Sequence, residues 1–373
     1  MKPYISCFFI LVFYLTTSCT EDYQLHNVDS QNVIVITGLI TNEPGPYYVK
    51  VVENVSDIST GKTRQQGIND AKITITDSKG NVDELHSFFS VPLDSVLYES
   101  GVILGTDTPY EIYHYFFEIP DGDGGYIRFR IEKDMYDNYK IRNDIRESAY
   151  FTTSTKGVQG NTYTLKVEYA GKEYTATDYM CYGTVIDSIS VEPIGRYIYD
   201  KPDGSDGFMV PCLYFNEPQD EVNFYMFKES GYIIISDYNS ETGWTHESCL
   251  ISAKDYVLMK GEDSDWRISV VSDRFMPPYV SKYKMSDGDH ARKWYSGTDM
   301  GFYPGWENGG AVDMYCITEP VYRYYSALSR QYYQDGGAFS PSPASPPTNF
   351  SGGAQGCFSA ASVSQYVLKL WEK

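Results

Sequence analysis

The stretch Tyr163-Thr164-Leu165-Lys166-Val167-Glu168-Tyr169-Ala170-Gly171-Lys172-Glu173-Tyr174-Thr175-Ala176 decides the fold class. Tyr163, Leu165, Val167 and Tyr169 fall on alternate positions, Gly171-Lys172 supplies a turn, and Tyr174 and Ala176 resume the alternation. Side chains two apart share one face of a strand, so each arm of this hairpin presents one apolar side.

The same grammar extends in both directions. Upstream, Ile73 and Ile75 alternate with Thr74 and Thr76 and end at the turn Asp77-Ser78-Lys79-Gly80. Residues 110–119 read as a long aromatic strand, turned back by Pro120-Asp121-Gly122-Asp123-Gly124-Gly125. In the return strand Ile127, Phe129 and Ile131 alternate with Arg128 and Arg130. Residues 33–40 are a continuous apolar, β-branched run, the pattern of a strand buried on both faces. Pro44-Gly45-Pro46 turns it toward a partner strand over 47–53, and a polar loop follows over 56–67. The segment 133–150 is charged and less regular, a short helix or an insert at the rim.

Downstream, a new strand over 184–191 sets a boundary near 181–185, with further strands near 208–215, 221–228 and 231–237 and shorter ones up to Ile317. One helix is expected over about 320–334, where Val321, Tyr325, Leu328 and Tyr332 recur at helical spacing between Pro320 and the stop Asp335-Gly336-Gly337. Residues 336–356 are rich in Gly, Pro and Ser, and 366–371 read as a last strand. The expected fold is all-β. It comprises two successive β-sandwich domains of Ig-like or transthyretin-like kind, 33–182 and 183–373, with one short helix in the C-terminal half.

Ahead of the strands lie Lys2, an apolar run over 7–15 and Thr16-Thr17-Ser18, the layout of a secretory signal over 1–18. The apolar run is about nine residues, far short of the roughly twenty that cross a bilayer. Small residues directly before Cys19 resemble a bacterial lipobox, in which cleavage leaves the cysteine lipidated at the new N-terminus. Leu15 sits one place further back than the usual lipobox leucine. Thr20-Glu21-Asp22 resemble an acidic surface-export tag, and 19–32 read as a polar tether. These features predict an outer-membrane protein held by acyl chains on Cys19 and facing the cell surface.

Composition narrows the partners. The formal charge is -20, and an acidic surface repels phosphate backbones and anionic lipid. Nucleic acid is therefore not an expected partner, and membrane contact falls to the acyl chains. Aromatics make up 16% of the chain and 36 residues are tyrosine, which suits half-buried sheet faces and sugar- or peptide-binding surfaces alike. The cysteines after Cys19 are Cys181, Cys212, Cys249, Cys316 and Cys357. They are scattered without metal-ligand spacing, and an odd number leaves at least one unpaired; buried thiols with at most one disulfide are expected.

Catalytic signatures are missing from the sequence. The histidines His26, His86, His114, His246 and His290 stand far apart, and neither a nucleophile elbow nor a phosphate-cradling loop occurs. No enzyme activity, metal site or cofactor is expected. The Asp/Gly loops 121–124 and 203–207 fit β-turns better than calcium loops. The candidate binding stretch is 294–310, which sets Trp294, Tyr295, Asp299, Phe302, Tyr303, Trp306, Glu307 and Asn308 among glycines and a proline. Flat aromatic faces beside carboxylates and an amide suit a glycan or peptide ligand, or a protein interface.

The order of parts also carries a resemblance. The lipobox leads into the apolar 33–40 strand and Pro44-Gly45-Pro46-Tyr47-Tyr48-Val49-Lys50-Val51. Ile68-Asn69-Asp70-Ala71-Lys72-Ile73-Thr74-Ile75-Thr76-Asp77, the Gly171-Lys172-Glu173-Tyr174 hairpin, the late helix and Asn349-Phe350-Ser351-Gly352-Gly353-Ala354-Gln355-Gly356-Cys357-Phe358 follow. Together they resemble the domain-of-unknown-function 4249 family of Bacteroidota outer-membrane lipoproteins over nearly all of the mature chain. The resemblance carries no catalytic residues. It implies an accessory role beside a TonB-dependent outer-membrane transporter in nutrient capture. The alternatives are a structural, protein-binding part of an envelope complex and an anchored hydrolase of glycans or peptides.

Overall fold

The computed structural model describes residues 33–57, 62–102, 109–131, 142–193, 209–230, 232–239, 243–250, 257–258, 269–285, 309–333 and 346–369. They are mostly strand, and the all-β expectation holds. The first half contains β1 (Val33–Thr41), β2 (Tyr48–Asp57), β3 (Lys62–Gly67), β4 (Lys72–Asp77), β5 (Val82–Glu84) and β6 (His86–Ser87). It continues through β7 (Asp94–Val102), β8 (Pro109–Pro120), β9 (Tyr126–Ile131), helix α1 (Arg142–Ser148), β10 (Ala149–Phe151), β11 (Thr162–Tyr169) and β12 (Lys172–Tyr179). The second half contains β13 (Ile186–Pro193), β14 (Met209–Asn216), β15 (Phe224–Ser230), β16 (Tyr232–Asn239), β17 (Gly243–Leu250) and β18 (Ser269–Ser272). It ends with β19 (Tyr279–Lys284), β20 (Gly309–Ile317), helix α2 (Glu319–Tyr333) and β21 (Gln355–Lys369).

The deciding hairpin forms as β11 and β12, with one adjustment. Tyr169 pairs with Lys172, so the turn is Ala170-Gly171 rather than Gly171-Lys172. Both turn residues have positive φ (49° and 75°), the geometry whose twist matches two antiparallel strands and which a glycine relieves. Strands β12-β11-β4-β5 make a four-stranded sheet, and the inward residues Tyr163, Leu165, Val167, Ile73 and Ile75 are buried.

This sheet packs on the first part of a larger one, ordered β18-β15-β20-β21-β1-β2-β10-β6 with β3 alongside β2. Ile34, Ile36 and Ile40 of β1 and Val49 and Val51 of β2 meet the four-stranded sheet in one apolar cluster. The three-stranded sheet β13-β14-β19 covers the far part of the large sheet. There Leu213 and Phe215 meet Tyr225, Phe227, Val312 and Met314. Parity along the strands puts both small sheets on the same face of the large one. The opposite face carries Leu39, Tyr48, Tyr315 and Cys357, covered by Ile145 of α1, Val321 and Tyr325 of α2, and Phe117, Ile119 and Ile131 of the β7-β8-β9 ribbon. Phe88 lies at the centre of that cover, with the rings of Tyr48, Phe117, Phe129 and Phe151 at 5.8, 5.2, 5.1 and 5.6 Å.

The large sheet is continuous because β21 changes partner part-way. Residues 355–361 run parallel to β1, and residues 362–369 run antiparallel to β20. A strand that switches leaves half of its backbone groups facing no neighbour on each side, and such groups must find partners when buried. Side chains supply them. The Asn349 side chain accepts from the Phe358 N–H at 3.0 Å and donates to its carbonyl at 2.7 Å. Asp178 Oδ2 accepts from the Ala360 N–H at 2.7 Å. Asn42 does for Val363 what Asn349 does for Phe358, at 2.6 and 3.3 Å. One strand thus belongs to both the 33–182 and the 183–373 portions.

The helix expected over 320–334 forms over Glu319–Tyr333, with Val321 and Tyr325 inward. Part of 133–150 is the helix Arg142–Ser148 leading straight into β10, and residues 132–141 lie outside the described part. The strand expected over 366–371 begins at Gln355 instead. Its first half is Ala- and Ser-rich and buried on both faces, so it lacks the alternation that marks a half-wet strand.

Candidate functional site

Cys19, the loop 203–207 and all eight residues of the candidate binding stretch, Trp294, Tyr295, Asp299, Phe302, Tyr303, Trp306, Glu307 and Asn308, lie outside the described residues. The other Asp/Gly loop is described and is a turn: Asp121 Oδ1 accepts the N–H groups of Asp123 and Gly125 at 2.9 and 2.8 Å. These donors hold the carboxyl below its ordinary value. Among the described residues no three His, Cys, Asp or Glu side chains gather as metal ligands.

Several buried titratable groups lie at the junction of the two portions. Strand alternation turns Asp178 of β12 inward, where it is 5% exposed. Its Oδ1 accepts the Thr318 hydroxyl at 2.6 Å, which fastens the start of α2 to β12, and its Oδ2 takes the Ala360 N–H. Burial outweighs these donors and pushes the carboxyl up to about 6. Directly after β12, the Cys181 carbonyl accepts the Ser362 hydroxyl of β21. The Cys181 thiol donates to the Tyr179 carbonyl at 3.8 Å and packs against the cluster that holds Cys316 of β20, whose cross-strand partner is Ser362.

A second group of acids adjoins this one. Glu217, at the end of β14, is 4% exposed, and its Oε1 accepts the Asn223 side-chain amide at 3.1 Å. Asp273 accepts the Asn223 backbone N–H at 2.6 Å. Burial, reinforced by the adjacent Asp273 charge, pushes the Glu217 carboxyl up against the pull of the Tyr225 and Asn223 donors. Burial first, and then the bond to Glu217, pushes the Tyr225 phenol far up.

These hydrogen bonds tie three connecting segments into one end of the molecule. The Thr184 hydroxyl donates to the Asn216 carbonyl at 2.6 Å, and the Glu217 N–H to the Pro278 carbonyl at 2.9 Å. Asn223 binds both Glu217 and Asp273. On their outer side the same segments carry large apolar groups in water: Phe275 is 93% exposed, Val222 and Val185 65%, Tyr182 63% and Tyr279 49%. Single exposed apolar residues are ordinary, and these five lie on loops tied to one another by hydrogen bonds. The acids beneath face Asn223 and Tyr225. Outward, the same segments present these apolar and aromatic groups beside the exposed Asp220, Glu221 and Arg274.

A second feature is a shallow depression of about 610 Å3 at the β11–β12 turn, lined by Asp70, Lys72, Glu168, Lys172 and Glu173 among others. Nearby charges are matched: Lys166 lies 2.6 Å from Glu168 and 2.8 Å from Glu173, and Lys72 lies 3.7 Å from Glu84. Sign-matched exposed pairs of this kind are ordinary solvated surface.

The sequence reading missed the junction. Asp178, Glu217, Asp273 and Asn223 sit in no motif, and their partners lie far away along the chain. The one signal available was Asp178 at an inward position of a hairpin whose other inward residues are Tyr174 and Ala176.

Among known proteins, no curated protein matches the chain. A solved structure titled "Biofilm associated protein - B domain" is 10% identical, with 90% of this chain and 85% of that chain covered and a TM-score of 0.15. A likeness that slight carries no argument. The family "Domain of unknown function (DUF4249)" matches residues 20–366, and the chain belongs to that family.

Proposed function

We propose that this chain is a non-enzymatic binding protein of the bacterial outer membrane, anchored by acyl chains on Cys19 and exposed at the cell surface. In this reading it works beside a TonB-dependent transporter in nutrient capture, and the ligand is a glycan or a peptide. The lipobox-like layout before Cys19 and the acidic residues after it support the location. Anchoring raises the local concentration of the protein beside a membrane partner without any new contact.

The observation that carries the binding role is the loop end bearing Phe275, Tyr182, Val222, Val185 and Tyr279. Rigid sheets holding exposed loops are how binding proteins present contacts. Buried acids under that end fix the loops to one another, which lowers the entropy lost when a partner docks.

The experiment is a mild-detergent pull-down from native membranes, read by mass spectrometry. A transporter recovered with the wild-type chain, and lost with Phe275→Ser plus Tyr182→Ser, fits the reading. The Cys19→Ala protein should leave the membrane fraction. Retention of that variant at the membrane, with no acyl group on the native N-terminus, would falsify the anchored reading.

A second reading, an anchored hydrolase of glycans or peptides, draws on the buried Glu217 and Asp273 pair. Paired carboxyls serve glycoside hydrolysis when a substrate reaches both. Glu217 is 4% and Asp273 9% exposed, which favours the binding role. A structural role in an envelope complex is separated by the same pull-down: its partner would be retained without any small ligand.

A further inference from the structure

We propose that Cys181 and Cys316 form a disulfide that fastens the connector between β12 and β13 to the face of β20, with Cys181 as the thiol through which the bond is made. The backbone brings the two together independently of their thiols. The Cys181 carbonyl is bonded to Ser362, and Ser362 lies opposite Cys316 in the β20–β21 pair. Two residues further on, a Cβ at Gly183 would stand 2.8 Å from the Ser362 Cβ and 3.6 Å from the Cys316 Cβ. The connector therefore passes directly over the two paired residues. Cys181 packs against the apolar cluster that includes Cys316.

The other described cysteines are placed differently. Cys357 projects to the opposite face of the large sheet, among Leu39, Tyr48 and Tyr315. Cys212 is fully buried in β14. Cys181 is half-exposed and packs against the cluster that holds Cys316, whereas Cys212, Cys316 and Cys357 are buried.

The exposures assign the roles. Cys181 is reachable, and the neighbouring Cys316 thiol lowers its pKa, so it is the better thiolate. Cys316 is buried and held up chiefly by Cys181. With a small-molecule or protein disulfide as oxidant, the Cys181 thiolate attacks one oxidant sulfur and releases the other as a thiolate. Cys316 then loses its proton and attacks Cys181 Sγ, forming the Sγ–Sγ bond and expelling the second oxidant thiolate. Two electrons and two protons leave the cysteines, and the oxidant disulfide is reduced to two thiols. Once Cys181 carries no charge, the main influence raising the Cys316 pKa is gone.

The bond would join the two portions covalently where Asp178 already joins them through hydrogen bonds. It rests on the geometry alone. Export enters only in deciding whether an oxidant is met, since disulfides persist outside the reducing cytoplasm.

The test uses the full-length protein purified in mild detergent, reduced, and then exposed to oxidised glutathione while folded. Free thiols are blocked with N-ethylmaleimide and the peptides are mapped. The expected result is one linked pair of peptides, containing Cys181 and Cys316, that disappears on reduction and in the Cys181→Ser variant. The oxidised protein should melt higher than the reduced one by on the order of 5–10 °C. The proposal is overturned if both cysteines remain blocked by N-ethylmaleimide, if Cys181 keeps a glutathione adduct, or if it links to Cys249. Mapping the protein blocked at the moment of lysis tests the compartment separately. A pair linked in vitro but reduced in cells upholds the bond and argues against the exported location.

Discussion

Two regions of the molecule, the β5 edge of the first portion and the junction with the second, bury acids in opposite ways. In the first, Asp83 of β5 is 6% exposed but takes five donors: the N–H groups of Thr153, Ser154 and Thr155 at 3.0, 2.8 and 2.8 Å, and the hydroxyls of Thr153 and Thr155 at 3.0 and 2.8 Å. Burial pushes its pKa up, yet the donors outweigh burial and hold the carboxyl below its ordinary value. At the junction, Asp178 has the Thr318 hydroxyl and the Ala360 N–H, and burial wins. Glu217 goes the same way, with its Oε2 buried and without a hydrogen bond. Donor count decides whether a buried carboxyl strengthens a fold as a charge or strains it.

The largest effect is expected where the donors are densest. Asp83→Ala leaves five donors facing a void and should cost about 3–5 kcal/mol, read as a lowered urea midpoint. Because the native carboxyl is more acidic than the unfolded one, its contribution is present above the unfolded value of 3.8 and fades as pH falls through the depressed native value. A midpoint unchanged by the substitution would remove the comparison's first half.

Next comes the shared strand. Gly356 has φ of 99°, and a Cβ there would strike the Ile36 carbonyl across the parallel pair. Gly356→Ala should destabilise by on the order of 3 kcal/mol. Since β21 serves both portions, protease resistance in both should fall together. Loss confined to one portion would mean that the switching strand does not couple them.

Asp178→Asn works in the opposite direction. The native value of about 6 lies above the unfolded 3.8, so stability from this group is full below pH 3.8 and is lost as pH rises to about 6. A shift of that size is worth about 3 kcal/mol at most. The amide can still accept from Ala360 and donate to the Thr318 oxygen, so the variant should be more stable by about 2 kcal/mol at pH 7. Its urea midpoint should be flat between pH 4 and 6, where the wild type declines. A wild-type midpoint that does not decline there would show that Asp178 is ionised without penalty.

The smallest effect sharpens the distinction between holding the fold and meeting a partner. Phe275→Ser removes a ring that is 93% exposed and should change stability by less than about 0.5 kcal/mol. Its effect should appear only in partner recovery.

Legibility followed distance along the chain. The β11–β12 hairpin was readable because alternation and turn chemistry are local, although the positive φ of Ala170 moved the turn by one residue. Helix α2 was readable because Val321, Tyr325 and Leu328 repeat at helical spacing, and Val321 and Tyr325 are its buried contacts. The start of β21 was not, because Gly352, Gly353 and Gly356 read as loop and the buried Ala360 and Ala361 carry no alternation. Asp178 read as one acid among 50.

By itself the sequence determined the strand-rich class, the deciding hairpin, the late helix and the family. The first three depend on periodicity and turns, which act within a few residues, and the family on the order of the parts along the chain. Only the tertiary structure decided that β21 switches from β1 to β20, that Asn42, Asp178 and Asn349 complete its hydrogen bonds, and that the Cys181 segment lies on Ser362 and the cluster that holds Cys316. Those contacts join residues distant in the chain, and their energies come from burial and donor geometry that exist only once the sheets have closed.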